Sequence, residues 1–408
     1  VAVFERNGIE ADVDTGLDAE VLIACIGDYD GLAIRSATKV TGKLLEKATR
    51  LKVVGRAGIG VDNVDIPAAS KKGVIVMNTP FGNSITTAEH AIAMMFAVAR
   101  QLPEASVSTH AGKWEKSRFM GVELFNKTLG VIGAGNIGSI VIDRALGLHM
   151  KVLAYDPFLS EERATEIGVT KVDLDDLLGR SDFITFHVPL TDKTRNILSR
   201  DAIGKLKKGV RIINCARGGL VDEEALAEAL KDGRVAGAAF DVFAVEPATE
   251  SPLFNLPNVV VTPHLGASTT EAQENVALQV AEQMSDYLLT GAVTNAINMP
   301  SITAEEAKVM GPWIGLSGHL GNFIGQMTDE PVTAINILYD GVVSEMNLAA
   351  LNSALVAGIM WGAKSCVQFS LSLIALNVLV YLVVNVGLAG GVYQAAVISF
   401  GYIPAVVN

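Results

Sequence analysis

The hexapeptide Gly133-Ala134-Gly135-Asn136-Ile137-Gly138 lies between a short apolar run, Thr128 to Ile132, and an apolar-periodic stretch through Ile140, Val141 and Leu146. The run predicts a buried strand and the stretch a helix, so the glycines fall at a strand-to-helix turn. There Gly133 permits the tight turn, Gly135 lets the backbone approach a pyrophosphate, and Gly138 lets the helix pack closely on the sheet, with the helix N-terminus facing the anion. Alone the motif is weak evidence. Eighteen residues after Gly138, however, Asp156 ends the next strand-like run, Lys151 to Tyr155. A carboxylate there accepts hydrogen bonds from both ribose hydroxyls and repels a 2′-phosphate, and Pro157 and Phe158 offer no compensating arginine. The expected cofactor is NAD rather than NADP.

Three later polar residues also fall just past apolar runs. Val210 to Asn214 is followed by Cys215-Ala216-Arg217-Gly218-Gly219; Gly237 to Phe240 is followed by Asp241, with Glu246 five residues on; Val259 to Thr262 runs into Pro263-His264-Leu265-Gly266. In an open parallel sheet, ligands bind beyond the carboxyl ends of the strands, so Arg217, Glu246 and His264 are placed to converge on one crevice. Their types suit one reaction. Moving a hydride from a carbinol carbon to a nicotinamide needs a base for the hydroxyl proton, and His264 is the expected base. Glu246 is expected to fix the imidazole tautomer and favour its protonated form. Arg217 is expected to bind a substrate carboxylate through two parallel hydrogen bonds and to polarise the adjacent oxygen. Singly, each has an ordinary alternative: a surface ion pair, a turn residue before Pro247, a satisfied core group. His187, ending the run Phe183 to Phe186, is the rival base, though its earlier strand and Pro189 put it nearer the cofactor wall.

The segments Gly55-Arg56-Ala57-Gly58-Ile59-Gly60-Val61-Asp62-Asn63, Thr79-Pro80-Phe81-Gly82-Asn83-Ser84, Asn214 to Gly219 and Pro263 to Thr269 resemble the D-3-phosphoglycerate dehydrogenases of the D-2-hydroxyacid dehydrogenase family. The resemblance runs from the first residues to about Met360. It implies an NAD-dependent oxidoreductase that converts 3-phosphoglycerate to 3-phosphohydroxypyruvate, the entry step of phosphorylated L-serine biosynthesis. The family's catalytic Arg, Glu and His fall on Arg217, Glu246 and His264. The resemblance also places Gly133, Gly135, Asn136, Ile137, Gly138, Asp156, Val188, Cys215, Ala216, Asp241, Gly266 and Ala267 at the NAD site. It assigns Arg35, Arg56, Gly58 and Asn83 to the substrate, and puts Lys116 and Arg118 where a dimer partner's site lies within reach. The alternatives are a glycerate- or lactate-type member of the family, or an NAD-sensing protein resembling the C-terminal-binding co-repressors.

Alternating strand-like and helix-like segments argue for α/β throughout the first 295 residues. A glycine turn beginning only at residue 133 means that another unit precedes the cofactor domain. The expected architecture is a Rossmann-type doubly wound parallel sheet over 81–266, a flavodoxin-like substrate domain over 1–80 and 267–295, and a partial C-terminal α+β regulatory domain over 296–360. Catalysis is expected between the first two. Residues 85–105 predict one long helix in which His90, Met94 and Met95 are packing groups, and the family's dimer contact falls there. A homodimer or homotetramer is therefore expected.

A formal net charge of −12 without a basic tract excludes nucleic acid as a partner and leaves a local cationic pocket to bind an anionic substrate. Three cysteines without paired spacing argue against a disulfide framework and a zinc site, and point to a reducing, cytoplasmic setting. Both ends depart from the family pattern. The chain opens at Val1, where the family has already completed a strand, which predicts a missing segment. Thr333 to Gly341 predicts a strand and turn. Residues 361–408 form an atypical apolar tail with Lys364 as its one charged residue. Val367 to Val384 is long enough for a membrane helix, but its polar interruptions and lack of basic flanks argue against one. A buried β-rich segment is a second reading, and translation out of frame is the preferred one. No serine-sensing ACT segment is recognised.

Overall fold

The computed structural model describes residues 1–327, 335–339, 341–362, 381–387 and 393–399. Two compact units emerge, one formed by Val1–Thr79 with Ala277–Asn408 and the other by Pro80–Val276. In the first, α1 (Ala2–Arg6) and α2 (Ala19–Cys25) precede β1 (Gly31–Ile34), α3 (Gly42–Lys47), β2 (Val53–Arg56), α4 (Ile66–Lys71) and β3 (Ile75–Asn78). Each of α2, α3 and α4 starts where a short polar side chain accepts a backbone N–H: Asp18, Thr41 and Asp65. The three strands pair in parallel in the order β1-β2-β3, with Ile34 opposite Arg56 and Arg56 opposite Asn78. That succession matches one half of the flavodoxin order; the reversal that completes it is not among the described residues.

The second unit begins with α5 (Ser84–Arg100) and α6 (Leu102–His110). The single helix expected over 85–105 is two, because Pro103 has no N–H and its ring would collide with the preceding turn; Gln101 turns left-handed at φ 51° and α6 restarts with the proline in its first turn. Then follow β4 (Thr128–Ile132), α7 (Asn136–Gly147), β5 (Lys151–Tyr155), α8 (Glu161–Glu166), β6 (Thr170–Lys171), α9 (Leu174–Arg180), β7 (Phe183–Phe186), α10 (Arg200–Gly204), β8 (Val210–Asn214), α11 (Glu223–Lys231), β9 (Val235–Phe240) and β10 (Val259–Val261). All seven strands are parallel in the order β10-β9-β8-β7-β4-β5-β6. This is the doubly wound Rossmann-type arrangement, reversing direction between β4 and β7.

Successive strand residues point to opposite faces, and both faces are covered. Leu129, Val131, Phe183, Ile213 and Ala239 pack with Ala88 and Met95 of α5 and Val141 and Ile142 of α7. Ile132, Ile184, Ile212, Ala238 and Phe240 pack with Leu177 of α9, Ile203 of α10 and Leu226 of α11. Near-continuous apolar strands are the consequence.

The chain passes from the second unit back to the first through α12 (Thr270–Thr290). Its later half presses on the first unit's sheet at Gly55, where a Cβ would fall 2.2 Å from the Met284 sulfur. Beyond it lie α13 (Ala304–Met327), β11 (Ile335–Asn336), α14 (Leu348–Gly362), β12 (Tyr381–Gly387) and β13 (Tyr393–Ser399), the strands forming an antiparallel sheet in the order β11-β12-β13. Of the strand and turn predicted at Thr333 to Gly341, Thr333, Ala334 and Asp340 lie outside the described residues, as does most of Val367 to Val384. Among the described residues, no helix is long and apolar enough to cross a membrane.

Candidate active site

Strand register sets the geometry of the second unit. Tyr155, Ile132, Phe186, Asn214, Phe240 and Val261 are partners in sequence across the sheet, so they form one row at its carboxyl edge. The residues that follow them are Asp156, Gly133, His187, Cys215, Asp241 and Thr262. Every polar residue singled out after a strand in this unit therefore leaves the sheet from the same edge.

At the glycine turn, Gly133 has φ 96°, and a Cβ on it would meet the His187 carbonyl oxygen at 2.6 Å. A Cβ on Gly138 would fall 1.9 Å from the Gly133 carbonyl oxygen, so only glycine lets α7 start here. Gly135 differs: its backbone is ordinary and, its chain neighbours aside, nothing among the described residues lies within 4 Å of where its Cβ would be. Gly135 caps α7 without a side chain, and it and Asn136 are exposed, so the first amides of a twelve-residue helix face open space. Amides so placed can receive an anion such as a pyrophosphate. Asp156 accepts the Ala134 N–H on Oδ2 and the Phe158 N–H on Oδ1, each at 2.8 Å, which ties the acid to the glycine turn and leaves lone pairs for a diol. Ile137 and Val188 are partly buried and pack against the two cores behind the turn.

The Arg217 turn is stapled by a residue that sequence reasoning treated only as a strand end. Asn214 accepts the Ala216 N–H at 3.1 Å and donates to the Arg217 carbonyl at 2.9 Å. Gly218 then lies against the next loop so closely that a Cβ would be 1.7 Å from the Phe243 carbonyl oxygen. Cys215 is buried, and burial pushes its thiol well above the ordinary range, so it stays a neutral thiol.

His264 and Glu246 meet directly, Nδ1 to Oε2 at 2.7 Å. Glu246 Oε1 accepts the Phe243 N–H at 3.0 Å, which aims the carboxylate. The Glu246 hydrogen bond raises the His264 pKa; burial opposes it, the Glu246 and Asp241 charges add to it, and the nearby Arg217 charge works against it. For Glu246, burial raises the carboxyl, but the bonds from His264 and Phe243 outweigh it and hold the group below its usual value. The rival base, His187, bonds Thr185 Oγ1 through Nε2 at 3.0 Å, and burial pushes it down to about 3. An imidazole that weakly basic takes up no proton near neutrality, which favours His264.

Asp241 has a fully buried side chain and holds the His264 loop. Its carbonyl accepts the His264 N–H at 2.8 Å, while Oδ1 accepts Leu265 N–H at 2.7 Å and Oδ2 accepts Gly266 N–H at 2.8 Å. Thr262 donates to Oδ1 at 2.6 Å. His90, read from sequence as a packing group, places Nε2 3.3 Å from both Thr262 Oγ1 and Asp241 Oδ1. No sequence signal marks this, because His90 and Thr262 lie 172 positions apart. His264 itself has φ 56°, a left-handed conformation that a non-glycine residue holds only when its surroundings enforce it. Ala267 follows in the same turn, partly buried.

Asn83 immediately precedes α5, and its buried Oδ1 has no hydrogen-bond partner among the described residues. In the first unit, Arg35 follows β1 and is exposed, while Arg56 ends β2. Arg56 folds back over Gly58, which has φ 133° and where a Cβ would overlap the guanidinium at 1.6 Å. Gly58 also donates its N–H to Thr79 Oγ1 at 2.7 Å. Lys116 is exposed and Arg118 pairs with Glu115 at 3.0 Å.

Residues 92–266 match the family described as D-isomer specific 2-hydroxyacid dehydrogenase, NAD binding domain, and residues 309–370 match the D-3-phosphoglycerate dehydrogenase intervening domain. The second match continues ten residues beyond Met360. A D-3-phosphoglycerate dehydrogenase from Synechocystis sp. is 47% identical over 352 residues, 86% of this chain and 64% of that protein. One from Methanocaldococcus jannaschii is 45% identical over 88% of this chain and 69% of that protein. The chain thus spans about two thirds of the length of these relatives. Among solved structures, the TT0316 protein from Thermus thermophilus is similar with a TM-score of 0.67 and 32% identity, covering 73% of this chain and 96% of that one. The chain, whose Rossmann-type sheet carries the glycine turn, Asp156, Arg217 and His264 past one edge, belongs to the D-3-phosphoglycerate dehydrogenase branch of the D-isomer-specific 2-hydroxyacid dehydrogenases.

Proposed function

We propose that this protein oxidises 3-phosphoglycerate to 3-phosphohydroxypyruvate with NAD, the first step of phosphorylated L-serine biosynthesis, as a cytoplasmic homodimer or homotetramer. The observation that supports it most is the 2.7 Å bond from His264 Nδ1 to Glu246 Oε2 at the sheet edge that also carries the glycine turn. With Nδ1 engaged, Nε2 is the atom that takes the proton from the substrate's C2 hydroxyl. Glu246 stabilises the imidazolium as it forms and keeps the ring's orientation. Arg217 binds the substrate carboxylate and draws charge from the C2 oxygen. NAD, when bound, supplies the hydride acceptor. Gly133, Gly135, Asn136 and Gly138 would hold its pyrophosphate, and Asp156 its adenosine ribose. The C2–H and O–H bonds break together with formation of the C=O bond, the hydride leaving carbon and the proton passing to His264. Arg35, Arg56, Gly58 and Asn83 are assigned to the substrate's anionic ends on the family resemblance.

The test is NADH formation at alkaline pH by the full chain and by one ending at Met360, offered 3-phosphoglycerate, D-glycerate or D-lactate. Preference for phosphoglycerate supports the reading, and equal or greater turnover of D-glycerate or D-lactate replaces it with the alternative family members. His264→Ala should leave NAD binding near that of the parent chain and lower turnover by about 10²- to 10⁴-fold. Turnover equal to the parent's would remove His264 as the base.

A further inference from the structure

We propose that His90, on α5, is a positioning residue for His264, acting through the Asp241 carboxylate and Thr262. The proposal rests on the reading of His264 as the proton acceptor. Three consecutive backbone N–H groups, those of His264, Leu265 and Gly266, all end on Asp241, on its carbonyl, Oδ1 and Oδ2. The left-handed turn that presents the imidazole is therefore fixed to one buried aspartate. What fixes Asp241 in turn is Thr262 and His90. The Thr262 hydroxyl spends its proton on Oδ1 at 2.6 Å, so the oxygen it turns toward His90 can only accept. Asp241 Oδ1, 3.3 Å from Nε2, has no hydrogen to give either. With two acceptors facing it, Nε2 of His90 carries the hydrogen: it bonds the Thr262 oxygen and lies 3.3 Å from the Asp241 carboxylate.

His90 thus supplies the donor that anchors the loop to the long helix α5, and α5 is itself packed into the core through Ala88, Ala91, Met94 and Met95. A buried carboxylate is stable only while its lone pairs are met by donors. Burial alone would raise the Asp241 carboxyl; the bonds from His90, Thr262 and Leu265 outweigh that and hold it below its usual value, so it stays an acceptor for the loop. Without the His90 N–H, the Asp241 side chain loses its tie to α5, the 264–266 turn loosens, and the fraction of time His264 spends on Glu246 falls.

The experiment compares the full-length parent chain with His90→Leu, His90→Gln and Thr262→Val. The readouts are kcat, KM, NADH affinity by fluorescence, and the titration of the His264 ring by NMR of histidine-labelled protein. His90→Leu and Thr262→Val are expected to lower kcat on the order of tenfold, the effect of one hydrogen bond to a charged group. The His264 ring should titrate at lower pH than in the parent. The charged groups acting on it are Glu246, Asp241 and Arg217. A direct charge effect of His90 would run the other way, because removing a neighbouring cation makes protonation easier. His90→Gln, which keeps an N–H donor, should restore most of the rate. Parent-like kcat and His264 titration in His90→Leu would overturn the proposal, as would folded His90→Gln no better than His90→Leu. If the parent chain turns over no hydroxyacid, the functional reading fails, and the His264 titrations still decide the role of His90.

Discussion

Gly135→Ala separates a glycine kept for folding from one kept for a ligand. The backbone at Gly135 has φ −72° and ψ −155°, a conformation open to any L-residue, and among the described residues no atom beyond the adjoining ones lies within 4 Å of the added methyl. The substitution should therefore stabilise the protein by about 0.4–1 kcal/mol, by restricting the unfolded chain. For a unit of this size that raises the melting temperature by about 1–4 °C. On the proposed reading, the same methyl stands in the loaded protein where the pyrophosphate would meet the first amides of α7. Loss of one charge-assisted hydrogen bond, about 1.5–3 kcal/mol, weakens NAD binding by about 10- to 150-fold. At a concentration one hundred times the parent's Kd, NAD adds about 2.7 kcal/mol to the parent, but to a variant weakened by about thirtyfold only about 0.9 kcal/mol. The order of the two melts should invert: variant above parent without NAD, and below it by roughly 1 kcal/mol with NAD. Differential scanning fluorimetry across a NAD series, with an NADH fluorescence titration for Kd, reads both halves. A variant that melts below the parent without NAD would refute the claim of open space. One that stays above the parent at every NAD concentration would refute the claim that Gly135 faces the cofactor.

Two further substitutions test the acid–base pair and its registration. Glu246 favours the protonated form of His264, so Glu246→Gln should shift the acid limb of the kcat/KM profile for oxidation to lower pH while lowering kcat; an unmoved limb would show that the limb belongs to another group. For stability the signs are opposite at the two partners. The His264 contribution is complete below about pH 6.5 and fades as pH rises through its raised folded value. The Glu246 contribution is present above the ordinary carboxylate value and is lost as pH falls through its lowered one. Because their side chains are 50% and 34% exposed, thermal melts should show only a shallow maximum between these limits, and a steep one would contradict the exposed geometry. Gly218→Ala puts a methyl 1.7 Å from the Phe243 carbonyl oxygen, so the Arg217 turn and Glu246 loop must part by about 1 Å, which is expected to cost about 10²-fold in kcat. Unchanged kcat in that folded variant would mean the two loops need no fixed register.

What the sequence made legible was whatever depends on a local pattern. The strand-to-helix change across Gly133 to Gly138 is written in neighbouring residues, and so is the placement of Asp156, Arg217, Asp241 and His264 just past apolar runs. Parallel pairing then does the remaining work, since strands buried on both faces and paired in register must end in a row. The helix over 85–105 was misjudged for a local reason that was present in the sequence, Pro103, but outweighed there by apolar periodicity.

The support beneath the site was illegible for a different reason. His90 sits on a helix face where Ala88, Ala91, Met94 and Met95 are all buried, so any reading by periodicity makes it one more core residue. Its partners, Thr262 and Asp241, belong to two other strand ends, and each has an ordinary local explanation of its own. Only the fold shows that the hydroxyl, the imidazole and three successive loop amides share one buried carboxylate. Chemistry that touches a substrate needs particular residue types at exposed strand ends, and those stand out in a chain. Holding such a group in a left-handed turn needs only donors in the right place, and many residue types supply a donor. The Asp241 cluster is therefore where substitutions should change the behaviour of His264 without altering any residue that meets the substrate.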